Sequence, residues 1–119
     1  MYKVIKIGEK DVPMLCMASI DTSYWHIFHE DPIKLQSNGE ADEGDIINFV
    51  MKMGFVMAKF AELKVGKKLR ALTEENYLDW LDQFERTDYL NALVDIRLTY
   101  EGQSVNTADA KKKENEPSA

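Results

Sequence analysis

The run from about Glu43 to Leu63 constrains this chain more than any other feature. It contains no proline, Asp42 stands ahead of it as a cap, and its apolar residues recur at helical spacing. Ile46, Val50, Met53 and Met57 fall on one stripe, and Phe49, Val56 and Phe60 fall on another. A helix that is apolar over more than half its circumference either lies at the centre of a fold or carries a second contact surface. It is not a membrane span. Asn48, Lys52 and Lys59 interrupt the run Ile46 to Phe60, which is shorter than the ~20 residues a bilayer requires.

The flanking sequence has to supply the cover. Lys3-Val4-Ile5-Lys6-Ile7 mixes apolar residues with lysine as a half-buried strand does, and Gly8-Glu9-Lys10-Asp11 has turn chemistry. Val12 to Met17 returns as a second strand, with Pro13 confining it to an edge or delaying its start. Ser19 caps a helix from Ile20, whose buried face is Ile20, Tyr24, Ile27 and Phe28 and whose stop is Asp31-Pro32. Leu35 to Gly44 reads as a polar loop, and Lys64 to Leu72 as a basic connection. Thr73 caps a helix with the stripe Tyr77, Trp80, Leu81 and Phe84. A last helix, capped by Thr87 or Asp88 and ended by Gly102, carries Tyr89, Ala92, Leu93, Ile96 and Tyr100 on its main stripe. Leu90, Val94 and Leu98 form a second stripe on it.

The expected fold class is therefore α+β and mainly helical, with an N-terminal β-hairpin, about four α-helices and a disordered C-terminal tail. Residues 1–102 form a single globular domain. Residues 103–119 hold Val105 as their one sizeable apolar side chain, too little burial to offset the entropy of ordering them.

Composition then removes function classes. Asp and Glu outnumber Lys and Arg by 21 to 15, for a net charge of −6, so a nucleic-acid partner is not expected. The basic cluster Lys64, Lys67, Lys68 and Arg70 reads as a solvated connection. Cys16, the only cysteine, suits a reducing compartment, and with no apolar leader the expected location is cytoplasmic. Packed among Met14, Leu15 and Met17, it reads as an inert thiol. His26 and His29, with Glu30 and Asp31, lack the third and fourth ligands and the supporting shell of a transition-metal site. No phosphate loop, nucleophile–base order or metalloprotease motif occurs, so neither an enzyme nor a bound cofactor is expected.

What remains is an excess of apolar helical surface. Met51, Met53 and Met57 crowd Phe49, Phe55 and Phe60 on one helix, and methionine-rich faces accept varied helical partners. The residues expected to bind a partner are Phe49, Met53, Val56 and Phe60 on the long helix, with Leu90, Val94 and Leu98 on the last.

The order of elements also resembles a known family. A hairpin opening Lys3-Val4-Ile5-Lys6-Ile7-Gly8 leads into Met17-Ala18-Ser19, then an acidic loop, a long apolar helix, two shorter helices and a polar tail. This layout resembles the tail assembly chaperones of long-tailed bacteriophages and of prophages in Gram-positive bacteria, over roughly residues 1 to 102. The resemblance implies a protein made in the host cytoplasm and left out of the mature virion. It would bind the long helical tape measure protein, keep it soluble while tail tube protein assembles around it, and self-associate as a homo-oligomer. It also implies that Lys111-Lys112-Lys113 could be encoded by a slippery frameshift site, against a plain solvated charge run. The alternatives are a structural or adaptor protein of the particle and a small metal-binding regulator on His26 and His29.

Overall fold

A computed structural model of the chain describes residues 1–32, 42–63 and 71–102. Its elements run β1 (Tyr2–Ile7), β2 (Lys10–Leu15), α1 (Ile20–Phe28), α2 (Glu43–Leu63), α3 (Glu74–Leu81), α4 (Arg86–Asn91) and α5 (Leu93–Glu101). The fold is α+β and mainly helical, with the antiparallel hairpin first. Of the loop expected over Leu35 to Gly44, residues 35–41 lie outside the described residues and Glu43 and Gly44 already belong to α2; residues 64–70 of the expected basic connection, and the polar tail with its lysine run, also lie outside them.

The hairpin turns more tightly than its composition suggests. Ile7 pairs with Lys10, leaving only Gly8 and Glu9 in the loop, and Gly8 adopts φ 64° while Glu9 does not go positive. That is the pattern of a type II′ turn, whose twist matches the strands it joins. A Cβ at Gly8 would also stand 2.5 Å from an Asp88 carboxylate oxygen, so glycine serves both the turn and the close approach of α4. Met1 and Cys16 exchange both backbone bonds, at 2.9 and 2.8 Å, which fixes the ladder parity. Counting from that pair, Val4 and Pro13 face each other at a position without ladder bonds. Pro13 therefore sits within β2 and costs no hydrogen bond: of the two outcomes the sequence allowed, an edge strand or a start after the proline, the structure has the edge strand.

Ile5, Ile7, Val12 and Met14 turn inward and are buried. Val12 and Met14 of β2 meet α2, which is the axis of the molecule: β2, α1, α3 and α5 all pack on it, while β1 lies against α5 and α4. One cluster of buried residues draws on the hairpin and the described helices alike. Around Phe55 the rings of Phe28, Tyr77 and Trp80 stand 6.3, 5.6 and 5.6 Å away, and Trp80 continues to Phe84 and Tyr89. These tilted and edge-on contacts join α1, α2, α3 and α4 into one aromatic layer.

Local signals set some of the helix ends, whereas α4 begins at Arg86 after an N-cap Glu85 that makes no side-chain bond, ahead of the expected caps Thr87 and Asp88. Asp42 and Asp45 bond each other's backbone N–H at 2.8 and 3.4 Å, and Thr73 and Asn76 form a second capping box. Ser19 occupies the N-cap of α1 but makes no capping bond. The end of α1 precedes the proline signal: His29 takes a left-handed conformation at φ 58° and its N–H bonds to Trp25 O. The single last helix expected from the sequence is two. Ala92 N–H bonds to Tyr89 O at 3.0 Å, a tight turn that divides α4 from α5.

Candidate interaction surface

The two stripes expected to bind a partner have different fates. Phe49, Met53, Val56 and Phe60 are all buried in the core, and the first stripe is corrected accordingly: it is interior, not surface. The physical reason is that the hairpin covers one side of α2 while α1, α3 and α5 cover the others. A helix apolar over more than half its circumference is satisfied by this enclosure alone. The stripe on the last helix remains outside in part. Val94 is 68% exposed, while Leu90 and Leu98 are half-buried.

Even the lysine within the apolar run has an interior explanation. Lys52, with 14% of its side chain exposed, bonds Glu30 at 2.9 Å and lies 5.1 Å from the Phe28 ring centroid. Glu30 also accepts the buried Tyr24 hydroxyl at 2.9 Å. The cluster clamps the end of α1 to α2. Burial, reinforced by Glu30, pushes the Tyr24 phenol above the usual tyrosine range. Burial does the same for Tyr89, and pushes Tyr77 up to about 12.

Cys16 is partly buried, with Sγ 3.6 Å from the Tyr100 carbonyl. Burial raises its thiol pKa, opposite to the shift that activates a nucleophile. His26 and His29 both lie edge-on to the exposed Trp25 ring, at 5.3 and 5.6 Å. Among the described residues, no group of three His, Cys, Asp or Glu is placed to hold a metal ion. Nor is any described helix long and apolar enough to cross a membrane.

Apolar surface is exposed elsewhere, on residues the sequence did not single out. The outward face of the hairpin carries Tyr2 and Val4 opposite Leu15 and Pro13, with Tyr2 59% exposed. Lys6 and Asp11 complete that face as an ion pair at 3.4 Å. Met17 continues beyond the hairpin. The adjacent apolar pair Val4-Ile5 breaks strict alternation in β1, so the sequence did not say which of the two faced inward: either choice leaves apolar residues on both sides. On the opposite flank of β2 a groove of about 890 Å³ runs against the last turns of α2 and the end of α3. Trp80, Phe84, Val12 and Pro13 line it, with Lys59 and Glu62 among its polar members.

Two further patches are helical. The first turns of α2, from Asp42 to Asn48, are exposed throughout and present Ile46 and Ile47. Leu78 is 52% exposed on α3, among Glu74, Glu75, Asp79 and Asp82. Together these places combine apolar contact area with a surrounding negative charge. No family model matches the chain, no curated protein matches it, and no solved structure matches it.

Proposed function

We propose that this chain is a tail assembly chaperone that binds the tape measure protein and keeps it soluble during tail assembly. The layout of hairpin, long apolar helix and short helices, which resembles that family, suggests the role. The observation that carries it is the pairing of a closed core with apolar side chains left outside on several elements: Val94 on α5, Leu78 on α3, and Tyr2 and Val4 on the hairpin. Exposed apolar contacts on a body with a net charge of −6 suit transient cover for apolar helical segments of a partner. The acidic body opposes self-precipitation while that surface is free. Binding of this kind needs no nucleotide, metal or other cofactor.

Within this reading Leu90, Val94 and Leu98 remain partner-binding residues, whereas Phe49, Met53, Val56 and Phe60 act through the core. The protein would work in the cytoplasm of the bacterial host and be missing from the finished virion. The test is co-purification with a tape measure protein. Wild-type chain should retain the tape measure protein, and Val94→Asp should lose most of it while keeping its helical spectrum and melting temperature. A folded wild-type protein that retains none of the tape measure protein would remove the proposal.

A further inference from the structure

The two edges of the hairpin are not equivalent. Because Met1 and Cys16 form a bonded pair, the backbone groups of Lys3, Ile5 and Ile7 point toward β2, and those of Tyr2, Val4 and Lys6 point away from it. On β2 the residues whose backbone points outward are Asp11, Pro13 and Leu15, and Pro13 has no N–H to offer. That edge is blunted in a way natural sheets commonly use. The edge of β1 has no proline. Among the described residues, none of the outward backbone groups of Tyr2, Val4 and Lys6 takes a hydrogen bond. A two-stranded ribbon gains stability from a further strand.

We infer that the free edge of β1 pairs with β1 of a second copy, joining two hairpins into a four-stranded antiparallel sheet about a two-fold axis at Val4. The register follows from the side chains. With Val4 opposite Val4 of the second copy, all three outward residues find bonded partners, and Tyr2 stands opposite Lys6. No lysine then faces a lysine directly. Each Lys6 already has Asp11 on its other side at 3.4 Å, and its ammonium and stem lie across from a tyrosine ring. On the inward face Lys3 stands opposite Ile5. The pairing is isologous, so it closes at two copies instead of propagating. It also joins the exposed Tyr2, Val4, Pro13 and Leu15 of both copies into one continuous face.

This inference rests on the hairpin geometry and not on the identity of any partner protein. Its test is mass in solution, independent of tape measure binding. The wild-type chain should sediment at twice its 13.7 kDa mass as concentration rises. Val4→Lys, which sets two cations opposite each other on the axis, should sediment as a monomer with an unchanged circular dichroism spectrum. Val4→Pro removes the edge donor without touching the β1–β2 ladder, as Pro13 does across from it, and should also be monomeric. In a Cys16→Ala background, Val4→Cys should give a disulfide-linked dimer on mild oxidation, because bonded antiparallel pairs hold Cα atoms about 5.5 Å apart, within disulfide reach. A wild-type monomer at every concentration overturns the inference. So does a dimer that survives both Val4→Lys and Val4→Pro, or a Val4→Cys chain that does not cross-link.

Discussion

Gly54 is where α2 and the last two helices come closest, and replacing it with alanine tests the central position of α2. A Cβ there would fall onto the Tyr89 hydroxyl and lie 3.1 Å from Ile96 Cδ1. That hydroxyl is buried and donates to Met51 O at 2.6 Å. Gly54→Ala gains about 1 kcal/mol of helix propensity. Against this stand overpacking, at roughly 1–3 kcal/mol, and displacement of a buried hydroxyl from its acceptor, at about 1–3 kcal/mol. The net expectation is a loss of about 2 kcal/mol, read as a fall of roughly 10 °C in melting temperature. Gly44→Ala, in the exposed first turn of the same helix with only Asp42 Oδ1 at 3.4 Å, should be neutral or slightly stabilising. Tyr89→Phe removes the obstructing atom and costs about 1 kcal/mol alone. The double variant Gly54→Ala/Tyr89→Phe should then fall short of the summed losses by about 2 kcal/mol. Chemical denaturation measures all four proteins. A Gly54→Ala protein at least as stable as wild type, or an additive double-mutant cycle, would refute the packing described for α2.

Glu30→Gln should destabilise by about 1–2 kcal/mol, because the partly buried Lys52 cation loses its counter-charge and keeps only a neutral amide oxygen and the Phe28 face, and Glu30→Gln/Lys52→Met should recover most of the loss; thermal melts decide it. Tyr24, Tyr77 and Tyr89 all have folded-state pKa values raised by burial. Their contribution is intact below the unfolded tyrosine pKa of about 10 and is lost as pH rises above it, so stability should fall progressively in alkali, and a melting temperature unchanged across that range would contradict it. Thr73→Ala should cost about 1 kcal/mol through the capping box of α3, measured by denaturation, with no change in the mass of the protein in solution.

Much of the fold was legible because its signals are local. Thr73 and Asp42 mark helix starts through side chains that bond backbone three residues on, and Gly102 ends α5 at φ 79°. The far end of α2 at Leu63 follows from periodicity alone. The candidate surface was less legible because burial is decided by what packs from far along the chain. Nothing within α2 says that β2, with Val12 and Met14 turned inward, covers one of its sides, or that Tyr89 and Ile96 close against Gly54. In the second stripe, which the division of the helix splits between α4 and α5, the exposed Val94 contrasts with the buried Ile96 two residues on, the side of α5 that packs inward. The division at Ala92 left no mark in the sequence, since alanine favours a continuous helix. The turn was misjudged by two residues because Lys10 and Asp11 resemble loop residues, although they are the first exposed positions of β2.

The most direct measurement is the yield of soluble tape measure protein when it is produced with and without this chain. The tape measure protein should aggregate alone and stay in solution with the wild-type chain, and Val94→Asp should restore much of the aggregation. Equal solubility with and without the chain would contradict it.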